Sequence, residues 1–462
     1  MWRLRYSGML RRMPPLRRKT FRGSASGQRP EYICAAESEM LLSRTPGMTP
    51  TNAPDSYRPD AAARRSIAFL NWAHGIDHFV LLIYPTVVIG LEVVYRRPYS
   101  ELIALSSAAF IAFGVFALPA GWLADRWSRR NMMALFYVGC GVSLAGAAFA
   151  PNLAMLAVAL FALGMFAAIY HPVGMAMLIE ASQARGRTLA FNGVCGNLGV
   201  SLAAGVSALL ATWFGWRAAF LAPAAVSVAT GIVYLWLTPD DRHHAKNRVS
   251  KPAVALTGRM AVAMFGLFIV IALTAGTTFN VLTIALPKIV DERLAGHVPL
   301  LIVGSIATLV LVCGGLAQLC VGRLVERFTP HAMFAVITGV GFLGNLWASY
   351  AEGGVPLMIA LAVAVAAIYG QVTVNDMVLA RYTADAWRGR VYAVRYFLLF
   401  ISAGVAIGMI ALLHERGGFA LVLAVNAAIA LAMFLATLGL VATIGNVEGR
   451  NAAPQPAELI TP

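Results

Sequence analysis

Residues 71–85, NWAHGIDHFVLLIYP, place Asn71, His74, Asp77 and His78 inside a run apolar enough to cross a lipid bilayer. Imidazole gains and loses a proton near neutral pH, and a carboxylate one turn away can share that proton, so the grouping suits proton exchange. Charged groups held against hydrocarbon would cost about 2.5–3.5 kcal/mol each even on lenient insertion scales. At 3.6 residues per turn the four side chains fall within an arc of about 120°. They form one polar face on an otherwise apolar helix, and that face must turn toward a bundle interior or a water-filled cavity.

The elements that carry these residues follow from composition. Of 462 residues, 59% are hydrophobic and only 12% charged, with a mean hydropathy of +0.72. Soluble domains carry about 25% charged residues, so the fold class is an all-α polytopic membrane protein. Apolar runs lie near 66–93, 101–123, 131–149, 153–181, 188–212, 217–237, 260–289, 299–322, 331–350, 356–380, 391–413 and 418–443. Runs of about 20 residues cross about 30 Å of hydrocarbon at 1.5 Å per residue, which makes twelve spans. The longest internal polar gap, 239–259, reads as a linker between a six-helix bundle at 61–238 and a second at 260–443, with a tail at 444–462.

The net charge of +15 is distributed as an orientation signal. Thirteen of the 36 Lys and Arg fall in residues 1–65; beyond them, the gaps after even-numbered spans and the tail hold 16, and the gaps after odd-numbered spans hold 6. That bias puts both termini and the linker on the cytoplasmic side. No basic groove interleaved with aromatics is visible, so nucleic acid is not an expected partner. The five cysteines, Cys34, Cys140, Cys195, Cys313 and Cys320, are odd in number and widely spaced, and they indicate neither disulfides nor a zinc site.

The halves are copies of one another. GWLADR at 121–126 recurs as GRLVER at 322–327, Pro85 recurs as Pro287, and RGRTLA at 185–190 recurs as RGRVYA at 388–393, at offsets of 201, 202 and 203. By the same offset His78 matches Asn280, and Gln371 lies one residue beyond the counterpart of His171. With span 1 entering near residue 66, His74 and His78 lie about 12–18 Å deep and His171, beside Tyr170 in span 4, about 15 Å deep. Asn375 and Asp376 lie nearer the cytoplasmic mouth. Arg395, inside span 11, either snorkels to the surface or attracts an anion.

GWLADRWSRR, between spans 2 and 3, resembles the signature loop of the major facilitator superfamily, G-x-x-x-D-[RK]-x-G-[RK]-[RK]. Gly121, Asp125, Arg126, Arg129 and Arg130 occupy its positions, and Ser128 stands where the second Gly usually is. GRLVERFTPH, with Gly322, Glu326 and Arg327, is similar to the weaker second copy in that superfamily. The resemblance implies twelve helices in two pseudo-symmetric bundles, a secondary active transporter working by alternating access, and a cavity lined by spans 1, 4, 7 and 10. It further implies that Asp125 meets the N-terminus of span 11 and stabilises an outward-open state. YPTVV, YHPVGMA and NGVCGNLGVSLAAG resemble the fosmidomycin-resistance branch of efflux transporters, although Val173 follows the His-Pro pair where that branch has an acid. Gly193, Gly196, Gly199 and Gly205 loosely resemble the glycine-rich antiporter signature but lack its Gly-Pro pair, and close helix packing accounts for them.

The expectation is a proton-coupled efflux transporter, an antiporter of a bacterial inner membrane. Its substrate and proton cavity is built from Asn71, His74, Asp77, His78, Tyr170, His171, Asn280, Gln371, Asn375, Asp376 and Arg395. Uptake of a small organic anion, drawn by the histidines and Arg395, is the alternative. The expected partners are a small-molecule substrate, protons and the lipid bilayer, for a monomer with no cofactor and no metal. The H-x-x-x-H of His74 and His78 raises a metal-dependent membrane enzyme, but the chain has eight histidines, too few for the His-rich oxidases, and no H-E-x-x-H. A sensor would need an added cytoplasmic domain, and an ATP-driven pump would need a P-loop; neither is present in this sequence.

Residues 1–60 are Arg- and Ser-rich with no acid before Glu31, and they read as a disordered basic leader, with Met48 as an alternative start. A protein beginning at Met48 should insert and function like the full chain, because later loops already carry the orienting charge. Loss of membrane insertion on that truncation, read by fractionation, would assign the leader a role.

Overall fold

The computed structural model describes residues 61–182, 185–239, 259–294, 298–325, 327–352, 354–382 and 385–452. The basic leader, the Met48 start, nearly all of the linker and the last ten residues lie outside them. In chain order the helices are α1 (Ala61–Tyr95), α2 (Tyr99–Ala104), α3 (Ser107–Arg126), α4 (Arg129–Ala148), α5 (Leu153–Ala167), a π turn (Tyr170–Gly174), α6 (Met175–Ala181) and α7 (Arg185–Phe214). They continue as α8 (Ala218–Leu237), α9 (Arg259–Arg293), α10 (Leu300–Leu324), α11 (Pro330–Tyr350), α12 (Gly354–Tyr382) and α13 (Asp385–Ala452).

Eleven stretches of the described residues are helical, long and apolar enough to cross a membrane. The last, Phe397–Ile444, is 48 residues long. It would reach about 72 Å as a straight helix, more than twice a hydrocarbon core of about 30 Å. Its backbone breaks at Gly417 and Gly418, where φ at Gly418 is +59°. It therefore supplies spans 11 and 12, and the twelve-span all-α architecture stands.

The ends of the spans follow local chemistry. Ser128 is extended and its Oγ accepts from the Asn131 N–H at 3.1 Å, capping α4. The serine that replaces a signature glycine thus starts the next helix. Asn152 caps α5 in the same way at 2.9 Å. Span 4 is not one helix. Pro172 has no N–H to donate, and α5 gives way to the π turn Tyr170–Gly174 before α6 resumes. Span 12 runs on as helix to Ala452, past the boundary expected at 443.

Side-by-side packing repeats between the halves. Span 1 lies along span 5 and span 7 along span 11; span 3 lies on span 6 and span 9 on span 12; span 2 packs on span 4 and span 8 on span 10. The contacts across the halves, span 5 with span 8 and span 2 with span 11, exchange places when the halves are swapped. Close approach depends on small residues, as expected where lipid provides no hydrophobic drive between helices. A Cβ at Gly199 would stand 2.1 Å from the Gly75 carbonyl oxygen, and one at Gly164 would stand 1.8 Å from that of Ala109.

Gly164→Val should therefore force span 4 off span 2 and lower stability by about 1–3 kcal/mol. Gly193→Val, where nothing lies within 4 Å of a Cβ, should be close to neutral. Equal thermal midpoints for the two variants in detergent would refute this account of the contact.

Candidate functional site

The polar face of span 1 meets spans 4 and 5 in the bundle interior. Asn192, on span 5, is the hub. Its side-chain amide nitrogen donates to the Asn71 Oδ1 at 3.0 Å and to the Leu70 carbonyl at 3.3 Å, its Oδ1 accepts from the Tyr170 hydroxyl at 3.0 Å, and its main-chain carbonyl lies 2.8 Å from His74 Nδ1. A carbonyl oxygen only accepts, so Nδ1 of His74 carries the hydrogen, and in the neutral ring Nε2 bears the lone pair. His78 Nε2 sits 3.2 Å from that lone pair and donates to it.

The His74 ring stacks on Tyr170 at a centroid distance of 4.8 Å, and by the same measure a tilted His78 ring lies 5.0 Å and an edge-on His171 ring 5.5 Å from it. A Cβ at position 196 would come within 2.6 Å of His74 Nε2, so Gly196 is what leaves room for the imidazole. Asp77 is fully buried with its Oδ2 3.4 Å from His171 Nε2. His171 also faces Phe113 of span 2 at 5.9 Å and Phe400 of span 11 at 5.4 Å, so the cluster reaches the other half through aromatic contact. All six residues singled out on spans 1 and 4 lie together.

The residues from the other half are placed differently. Asn280 donates to the Gly276 carbonyl of its own helix at 2.8 Å. Gln371 and Asn375 are buried on span 10. Arg395 pairs with Asp376 and, with Asn375, lines a pocket walled by Phe265, Phe268 and Leu379. Neither snorkelling alone nor a free anion site describes that arginine.

A second polar cluster, which the sequence reading missed, ties the halves at the end of the bundle opposite the termini. Lys288, one residue after Pro287, is buried; it pairs with Glu92 of span 1, with Asp291 at 3.0 Å and with Glu292 at 3.6 Å. His414 lies 2.9 Å from Glu292 and packs its ring on Tyr99 at 5.1 Å. The signal available in sequence was a lysine and three acids at the ends of two spans that match in the repeat.

Residues 67–296 match the model of the Major Facilitator Superfamily. Among solved structures, a bacterial homolog of the human lysosomal transporter Spinster superimposes with a TM-score of 0.65 at 13% identity, covering 85% of this chain and 98% of that one. The chain belongs to the major facilitator superfamily. Members of this superfamily are membrane transporters, not enzymes. The chain is similar to the 4-hydroxybenzoate transporter PcaK of Pseudomonas aeruginosa, 26% identical over 270 residues that make up 51% of this chain and 60% of that protein. It is also similar to the niacin transporter NiaP of Acinetobacter baylyi, 33% identical over 117 residues, 25% of this chain and 27% of that one.

In the superfamily signature loop, Gly121 faces span 4, where its Cβ would lie 3.3 Å from that of Pro172. Asp125 is exposed and pairs with Arg129 at 2.9 Å, and Arg129 reaches Glu180 of span 4 at 2.8 Å. Asp125 thus finds a partner within its own loop, and the side chains at the start of span 11, its implied partner, lie outside the described residues. Arg126 stacks over Trp122 at 4.1 Å, and Arg130 donates to the last carbonyls of span 6, Leu235 and Thr238, where a cation complements the helix dipole. In the second copy Gly322 has nothing within 4 Å of a Cβ, Arg327 is exposed, and Glu326 lies outside the described residues.

Glu92→Gln leaves Lys288 two carboxylates in its own half but weakens the tie between halves. A hydrogen bond to a charged group contributes about 1.5–3 kcal/mol, so the ratio of closed to open forms at this end should fall tenfold or more. Spin labels at the exposed positions Val93 and Glu415 should then show a longer-distance population. An unchanged distance distribution would mean that the pair does not hold this end shut.

Proposed function

We propose that this chain is a proton-coupled secondary transporter for a small aromatic carboxylate, with Asp77, His74, His78 and His171 forming the proton-exchanging site. The observation that carries this reading is the fully buried Asp77 carboxylate set against an imidazole, inside a cluster of three histidines at mid-bundle. A carboxylate without solvent is costly unless it is neutralised by a proton or a cationic partner. Gain or loss of a proton by the Asp77–His171 pair changes that balance and so favours different arrangements of spans 1, 4 and 11.

The substrate class is supported by the chemistry around the cluster. Phe113, Tyr170 and Phe400 offer flat apolar faces, and the imidazoles offer donors for a carboxylate. The names of the two relatives, transporters of 4-hydroxybenzoate and of niacin, point to the same class. On this reading the direction is uptake with protons, both termini lie in the cytoplasm of a bacterial inner membrane, and the Lys288 cluster closes the outer side. Proton-coupled efflux, favoured by the glycine-rich span 5, is the competing direction.

Proteoliposomes given labelled 4-hydroxybenzoate or nicotinate under pH gradients of each sign separate these readings. Accumulation driven by an acidic exterior is the expected result, and accumulation driven instead by an acidic interior would mark exchange of protons for substrate and reverse the direction. Asp77→Asn should abolish gradient-driven accumulation and spare exchange of labelled for unlabelled substrate, since coupling needs a group that changes charge. Accumulation that survives in Asp77→Asn would remove Asp77 from the coupling path.

A further inference from the structure

We infer that His74, His78 and His171 form a site for a divalent transition metal such as Zn2+ within the transmembrane bundle. One ligand atom from each lies within 4.8 Å of the others. Zinc binds imidazole nitrogen at about 2.0–2.1 Å in a tetrahedron, which sets neighbouring ligand atoms about 3.3 Å apart. His74 Nε2 and His78 Nε2 already stand 3.2 Å apart. They are four residues apart on one helix, the spacing by which helices present two imidazoles to one ion.

The surroundings also suit an ion. A metal-binding imidazole almost always donates its other N–H to a carbonyl or a carboxylate, which fixes the ring and the tautomer. His74 does so to the Asn192 carbonyl at 2.8 Å, leaving Nε2 as the ligand atom. Asp77, 3.4 Å from His171, is placed to hold that ring in the same way and supplies the anionic charge that offsets the cation. Binding removes one hydrogen bond, His78 to His74, and moves the hydrogen on His78 from Nε2 to Nδ1, so that ring stays neutral, while the proton that neutralises the Asp77–His171 pair in the ion-free protein is released and leaves Asp77 anionic. Closing the third ligand onto the ion requires a side-chain shift of up to about 1.5 Å, since 4.8 Å exceeds the tetrahedral edge.

An ion held here occupies the nitrogen atoms through which protons would pass. Its second consequence rests on the transport reading above: Zn2+ should block gradient-driven transport from within the bundle.

The metal site is tested on the purified full-length chain in detergent, with His243 and His244, a neighbouring pair in the linker, replaced by alanine as background. Titration with CoCl2 should develop the intense visible bands of tetrahedral Co2+ at one ion per chain, and ZnCl2 should bleach them. His78→Asn and His171→Gln should each weaken Co2+ binding at least tenfold, and Asp77→Asn should weaken it about ten- to a hundredfold. X-ray absorption of the Zn2+-loaded parent chain should show imidazole scattering, a readout that needs no variant to fold. Absence of the tetrahedral bands, or bands that persist in both histidine variants, would overturn the site. In proteoliposomes Zn2+ should lower accumulation by the parent chain; stoichiometric binding without inhibition would uphold the metal site and remove the cluster from the proton path.

Discussion

Hydrocarbon offers no hydrogen-bonding partner, so every polar group that this chain carries into the bilayer has to be satisfied by the protein. The histidine cluster is organised by that constraint. Asn192 spends both ends of its amide and its main-chain carbonyl on residues of spans 1 and 4, and so pins three helices by polar contacts that lipid cannot replace. Glycines at 75, 196 and 199 bring spans 1 and 5 close enough for those contacts to form. The packing and the polar network depend on each other, since the hydrogen bonds fix the register and the small residues permit the distance.

The two polar clusters divide the work. The ion cluster around Lys288 ties the halves at one end of the bundle by charge, and the histidines sit deeper, where His171 meets Phe400 of the other half and Asn197 of span 5 donates to Gln318 of span 8. On the proposed reading, charge pairs at the end form or break as that end closes or opens, whereas the interior cluster changes its protonation or its ligand without losing its frame. The repeated packing, in which cross-half contacts exchange on swapping the halves, supplies a route between such arrangements that needs no unfolding of either bundle.

Much of this was legible in the sequence because histidine and aspartate have no easy local solution in a helix. His74, Asp77 and His171 meet groups on other elements, and His78 meets His74, so their presence in apolar runs pointed to a shared interior. Asparagine and threonine carry less information. Asn280, Thr277 and Thr283 each bond to a carbonyl four residues earlier on their own helix, so a polar residue of this kind need not face anything. That is why the counterparts in the second half did not join the cluster merely by matching in the repeat. Lys288 escaped notice for another reason, since a lysine near the end of a span ordinarily reaches toward the surface, and only the fold shows the carboxylates that keep it in. The broken span 4 was foreshadowed by Pro172, but the π turn that follows from it is set by packing.

The bond from His74 Nδ1 to the Asn192 main chain has a mechanical side. The acceptor belongs to the backbone, so no side-chain substitution at 192 removes it, and the hydrogen on His74 is placed by the axial register of two helices. A slide of span 5 along span 1 by two residues, about 3 Å, would stretch the 2.8 Å contact to about 4 Å, past hydrogen-bonding range, and free the ring to carry its hydrogen on the other nitrogen. The imidazole thereby acts as a vernier for the bundle, converting a small translation between helices into a discrete choice of tautomer.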